Sequence, residues 1–219
     1  MKNYIAPSLL SADKEHLKDE ILKVEALGCE FIHWDIMDGI FVPNKSFPVS
    51  AVKENAKVHK MVNDVHIMVA DPMNVAPEFI EAGADYVTFH FEALACPKCC
   101  KKLIDKIHSM GCKAGISIKP KTNVKVLKEL VQYVDLVLVM SVEPGKGGQK
   151  FIGKSLKKIN LLYKYKIENR LSRLLIEVDG GINDKTLPDC VKNGANVLVI
   201  GSYLFNHPDF ADRFKKINE

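Results

Sequence analysis

The residues best suited to chemistry lie in a short run, Phe31-Ile32-His33-Trp34-Asp35-Ile36-Met37-Asp38-Gly39. In a strand, side chains two apart share a face, so His33, Asp35 and Met37 point one way and Ile32, Trp34 and Ile36 the other. An imidazole and a carboxylate on the inner face of a buried strand are costly unless they are paired or bind a metal. A half-exposed antiparallel strand with its polar face in water would show the same alternation, and the rest of the chain must decide between the two. His66 follows the same pattern, with Met68 two residues on, and Met140 and Asp179 each close an apolar run. Two imidazoles and two carboxylates are a sufficient donor set for a divalent transition metal, and they do not choose among Zn, Fe, Mn and Co.

The elements that must position these groups repeat one unit: a short apolar run, a polar or glycine-bearing turn, then an amphipathic helix. Strands are expected over 4–9, 31–37, 64–69, 85–89, 113–118, 135–140, 174–179 and 196–200. Helices are expected over 13–27, 49–56, from Asp71-Pro72 to near Gly83, over 97–110, from Thr122-Asn123, over 153–167, from Asn183-Asp184 to Lys192, and from Pro208. Eight such units predict a single-domain α/β protein over residues 1–219, a (β/α)8 barrel at the short end of its size range. The competing architecture is an open doubly wound sheet, but no Gly-x-Gly-x-x-Gly follows the first strand. In a barrel of this kind the active site lies at the C-terminal strand ends, where His33, Asp35, His66 and Asp179 would converge.

Composition excludes several classes of function. The 219 residues carry a net charge of only +4, and pairs such as Lys157-Lys158 and Lys215-Lys216 read as solvated helix faces, so a nucleic-acid partner is not expected. No run approaches the roughly 20 apolar residues of a membrane span, and the N-terminal residues do not resemble a leader, so a cytoplasmic protein is expected. Six cysteines are too scattered for a disulfide scaffold. Cys96-Pro97-Lys98-Cys99-Cys100 holds one Cys-x-x-Cys, but neither a second cysteine pair nor a histidine pair follows at zinc-site spacing.

Anion chemistry occupies the same rim. The stretch from Ser141 to Gln149 contains Gly145, Lys146, Gly147 and Gly148; Gly180 and Gly181 follow Asp179, and Gly201 and Ser202 follow the last strand. Glycines let backbone N–H groups approach an anion closely, and barrels commonly hold phosphate between their last strands.

The chain resembles the ribulose-phosphate 3-epimerase family along nearly its whole length. The motifs are Ile5-Ala6-Pro7-Ser8-Leu9-Leu10-Ser11-Ala12-Asp13, His33-Trp34-Asp35-Ile36-Met37-Asp38-Gly39 with Phe41-Val42-Pro43-Asn44, Asp64-Val65-His66-Ile67-Met68-Val69, the run from Val139 to Gln149, and Val178-Asp179-Gly180-Gly181-Ile182. The resemblance implies a barrel that binds a ketose phosphate and one divalent metal, Zn²⁺ first with Fe²⁺, Mn²⁺ or Co²⁺ as alternatives, held by His33, Asp35, His66 and Asp179. It implies that Asp35 and Asp179 are the acid/base pair and that Ser8 and His66 contact substrate. Phosphate falls to Gly145, Lys146, Gly147, Gly148, Gly180, Gly181, Gly201 and Ser202, in a homo-oligomer. Inverting a carbon next to a carbonyl does need two such groups, one to remove a proton and one to return it to the opposite face. Met37, Met68 and Met140 are expected to line the cavity with polarizable sulfur, unless they simply pack the barrel.

Several positions depart from the family pattern: Ile40 where His is frequent, Ser46-Phe47-Pro48 for a Thr-Phe-Gly-like turn, Lys146 for an aromatic, and Glu143 and Lys119 for Asn. None is a ligand or an acid/base carboxylate; Lys146 would add charge beside the phosphate. The rival readings are an epimerase of a related ketose phosphate such as D-allulose 6-phosphate, a decarboxylase, and a non-catalytic phosphosugar-binding barrel. The decarboxylase reading wants Asp-x-Lys-x-x-Asp, which Asp35-Ile36-Met37-Asp38 lacks.

Overall fold

In the computed structural model, which describes residues 2–218, eight strands run parallel: β1 (Tyr4–Pro7), β2 (Phe31–Met37), β3 (Val62–Met68), β4 (Tyr86–His90), β5 (Lys113–Ile118), β6 (Leu136–Met140), β7 (Leu175–Asp179) and β8 (Val197–Ile200). Met1 and Glu219 lie outside the described residues. The sheet order β1-β8-β7-β6-β5-β4-β3-β2 leaves one seam, which a parallel bridge between Ser8 and His33 spans. The sheet therefore curls into a barrel, and the open doubly wound alternative falls. Every residue of β2 is buried, so its polar face meets the barrel interior and not water.

Between the strands run α1 (Leu17–Ala26), α2 (Val49–Asn55), α3 (Pro72–Glu81), α4 (Phe91–Leu94), α5 (Pro97–Ser109), α6 (Ser155–Glu168), α7 (Leu187–Lys192), α8 (Ser202–Phe205) and α9 (Phe210–Asn218). The outward faces of the strands, including Ile32, Trp34 and Ile36, pack against this helical shell in the main core. The floor of the barrel is a second apolar cluster that includes Ala6, Phe31, Leu136, Leu138, Val197 and Val199. Tyr4, Phe31 and Tyr86 stack there, with ring centroids 5.0 and 6.0 Å apart. That plug is apolar, and the polar groups above it open toward the C-terminal mouth.

The local expectations fail in instructive places. The helix expected from Thr122 is two 3₁₀ turns, Val124–Leu127 and Val131–Tyr133. Asn123 does accept the Lys125 N–H as an N-cap, but the β-branched Val124, Val126 and Val131 favour short turns over a continuous helix. The helix expected from residue 13 begins at Leu17, because the Asp13 carboxylate accepts the Glu15 N–H in a turn of its own. Asn183 does the same with the N–H groups of Lys185 and Thr186, delaying α7 to Leu187. The first strand stops at Pro7, and Ser8 instead caps the 3₁₀ turn Leu9–Ser11.

Candidate active site

Strands β2 and β3 are in register so that His33 sits beside Asp64 and Asp35 beside His66, a checkerboard of imidazole and carboxylate facing inward. Asp179 ends β7 across the mouth, beside Met140 of β6. One donor atom from each of His33, Asp35, His66 and Asp179 can be chosen so that all four lie within 4.8 Å of one another. His33 Nε2 and His66 Nδ1 each stand 3.5 Å from Asp35 Oδ1, and Ser8 Oγ donates to Asp35 Oδ2 at 2.6 Å.

Groups behind the two histidines fix which ring nitrogen faces the cluster. His33 Nδ1 lies 2.6 Å from Asp64 Oδ2; a carboxylate only accepts, so the Nδ1–H donates and Nε2 is turned inward. His66 Nε2 lies 2.9 Å from His90 Nε2, and His90 Nδ1 lies 3.2 Å from Glu92 Oε2. Glu92 accepts the His90 Nδ1–H, His90 Nε2 accepts from His66, and His66 Nδ1 is left bare. Glu92 is itself held by the Lys119 N–H at 2.8 Å and by the Thr122 hydroxyl. The two inward nitrogens, His33 Nε2 and His66 Nδ1, are both buried without a hydrogen-bond partner. Such unpartnered ring nitrogens beside two carboxylates are what a divalent cation would satisfy once they are bare, so the residues fit a metal.

Charge is divided unequally among these groups. Burial opposes ionisation of Asp35, but His33 and His66 outweigh it and hold its carboxyl well below the usual range. Burial, reinforced by the Asp35 charge, pushes Asp179 up to about 7. For His33, burial is outweighed by Asp35 and Asp64, and its pKa rises well above the ordinary imidazole value. Burial lowers His66, and lowers His90 to about 4. The two carboxyls facing one site are thus driven apart, Asp35 down and Asp179 up, a pattern suited to one base and one acid.

Above the cluster opens a cavity at the C-terminal mouth of the barrel. It is lined by Ser8, Asp35, Met37, Met68, Met140 and Asp179 at its base and by Gly145, Lys146, Gly147, Gly148, Gly180, Gly181, Gly201 and Ser202 at its rim. His33 and His66 are fully buried behind this wall and do not line it. The rim turns are built for glycine: Gly181 has φ +67°, and a Cβ there would come within 2.5 Å of the Phe151 backbone nitrogen. Asn44 Nδ2 donates to the Gly145 carbonyl at 2.8 Å, joining the loops after β2 and β6 over the cavity.

Residues 4–205 match the family described as Ribulose-phosphate 3 epimerase. The chain belongs to this family. It is 43% identical to the ribulose-phosphate 3-epimerase of Treponema pallidum (strain Nichols) over 92% of this chain and 91% of that one. It is 43% identical to the enzyme of that name from Bacillus subtilis (strain 168) over 98% and 96%. Among solved structures, 3-keto-L-gulonate-6-phosphate decarboxylase from Vibrio cholerae superposes with a TM-score of 0.73 over 100% of this chain and 98% of that one; at 13% identity the likeness is one of fold. As a member of the epimerase family the chain is an enzyme of the isomerase class.

In this family member the site also uses residues that reading the strands singly passed over. Asp64 and Glu177 each precede a recognised residue, His66 and Asp179, by two positions, so the inward alternation already placed them on the same face. With His33 they form a second acidic cluster beneath the first. Burial and then the Asp64 charge raise Glu177 well above the carboxylate range. His90 was missed because the fourth strand was expected to end at residue 89; it is the last residue of β4. Of the departures, Ile40 stands 79% exposed at the tip of the loop after β2, Phe47 packs edge-on against Trp34, and Lys119 Nζ lies 3.8 Å from the Phe41 ring centroid.

Proposed function

We propose that this epimerase interconverts D-ribulose 5-phosphate and D-xylulose 5-phosphate, removing the proton at carbon 3 from one face and returning a proton to the other. The observation that carries the reading is the pair Asp35 and Asp179, both at the base of one cavity whose rim is a glycine cradle, with burial and charge driving their pKa values in opposite directions. With the phosphate seated on the N–H groups of the loops around Gly145–Gly148, Gly180–Gly181 and Gly201–Ser202, the sugar carbons lie over the two carboxyls. Asp35, steadied by Ser8, takes the proton from one epimer and Asp179 returns one to the opposite face; in the reverse direction the roles exchange. His33, Asp35, His66 and Asp179 would hold the metal, Zn²⁺ first, with Fe²⁺, Mn²⁺ and Co²⁺ accepted by the same donors. When bound, the metal supplies Lewis-acid stabilisation of the negative charge that grows on the substrate oxygens. Met37, Met68 and Met140 keep water from the exposed carbanionic carbon without offering protons of their own. Residence in the cytoplasm and assembly as a homo-oligomer belong to the same reading, and light scattering decides the second.

The test is proton exchange at carbon 3 in deuterated water, followed by NMR on the metal-loaded protein. Deuterium should enter as xylulose 5-phosphate forms, and Asp179→Asn should lower turnover about 10²- to 10⁴-fold, the usual weight of a positioned acid or base. Folded, metal-loaded protein that neither exchanges nor epimerises this substrate, yet turns over D-allulose 6-phosphate, would move the assignment to the six-carbon sugar.

A further inference from the structure

The loop after β4 carries a feature that the epimerase chemistry does not use. Ala95 closes α4 with a left-handed φ of 48°, which places Cys96 at the N-cap of the 13-residue helix α5 with Pro97 following. The Cys96 sulfur accepts the Cys99 N–H at 3.2 Å and lies 2.6 Å from the Cys99 sulfur, both being free thiols. These two are half-buried, whereas Cys29, Cys100, Cys112 and Cys190 are buried. We propose that Cys96 and Cys99 form a thiol–disulfide exchange site for low-molecular-weight disulfides, with Cys96 attacking and Cys99 resolving.

The order of attack follows from the local structure. A thiolate at Cys96 accepts the Cys99 N–H and the Cys99 S–H and sits at the positive end of the α5 dipole. Those bonds to Cys99 lower the Cys96 pKa, and the same sulfur contact raises that of Cys99. Burial pushes each of the other four thiols up to about 12, which keeps them inert. In the reaction the Cys96 thiolate attacks one sulfur of the small disulfide, forming a mixed disulfide and expelling one small thiolate. Cys99 then loses its proton to solvent and attacks the Cys96 sulfur, expelling the second thiolate. The pair gives up two electrons and two protons, and the small disulfide is reduced to two thiols. Their sulfurs are already adjacent, so closing the bond needs little backbone movement, and the product should be reversible.

The experiment incubates the native enzyme with excess oxidised glutathione, quenches it in acid, alkylates under denaturing conditions and maps the peptides by mass spectrometry. Trypsin cuts after Lys98, so a Cys96–Cys99 disulfide leaves two peptides joined until dithiothreitol parts them. The wild type should form that cross-link and retain no glutathione, with the other four cysteines alkylated. Cys99→Ser should stop with one glutathione on Cys96, and Cys96→Ser should react at least about tenfold more slowly. Unchanged epimerase activity of both reduced variants checks that they fold. Free Cys96 and Cys99 in the treated wild type, no adduct on Cys99→Ser, or faster reaction at a buried cysteine would each overturn the proposal.

Discussion

A histidine that serves a metal must present a bare nitrogen, and in this site each one is aimed by an acceptor behind it. Asp64 holds the proton of His33, and the Glu92–His90 relay holds that of His66. Burial raises the Glu92 pKa, but bonds from His90, Thr122 and the Lys119 N–H outweigh it and bring the group to about 2, so the relay ends on a fixed negative charge. Glu92→Gln keeps an acceptor but removes that charge. It should weaken metal binding about 10-fold or more, read by competition with a chelator, while leaving the fold intact. Unchanged affinity would show that His66 is oriented by packing alone.

At the scale of elements, the strands place the inward carboxylates and imidazoles and the βα loops place the glycine turns at the rim. Gly181 shows how tightly the loops are drawn. Its positive φ and the nearby Phe151 backbone leave no room for a side chain. Gly181→Ala should therefore displace the loop and raise the Michaelis constant for the sugar phosphate about tenfold or more, with the thermal midpoint falling less than it would for a core cavity. An unchanged constant would remove this loop from phosphate binding. The elements were legible where apolar periodicity was strong: the inward faces of β2, β3 and β7 follow from alternation. They were less legible where a side chain captures its own backbone. Asp13 and Asn183 each delay a helix, and the valines after Asn123 hold the chain in 3₁₀ turns.

For the molecule as a whole, burying this cluster couples metal binding to pH. Asp179, raised to about 7 by burial and by Asp35, and His33, raised by Asp35 and Asp64 against burial, both keep protons in the metal-free fold near neutrality. A metal needs those atoms bare, so its apparent affinity should climb as pH rises from about 6 to 8, with protons released on binding. Calorimetry in buffers of different ionisation enthalpy measures the release. The sign for folding is the same for both groups: a folded-state pKa above the unfolded value stabilises at low pH and is lost as pH rises. His66 and His90, whose pKa values are lowered, act the other way up to about pH 6.5 but are uncharged in both states above it, so the thermal midpoint of the metal-free protein should fall between about pH 7 and 8, and saturating metal should oppose the fall. A rising midpoint would contradict this charge assignment.

The sequence by itself determined the repeating strand–helix unit, the inward face of β2 and the glycine loops, because each is written in residues close together in the chain. Tertiary structure decided the rest. That Asp64 backs His33, that His90 and Glu92 aim His66, and that Asn44 ties its loop to Gly145 all depend on inter-strand register and barrel closure across 24 to 101 residues of chain. The meeting of Cys96 and Cys99 is local in sequence, but it required the left-handed turn at Ala95 and a helix beginning between the two sulfurs. Spacing brings such groups within reach; only the folded backbone decides which atoms face one another.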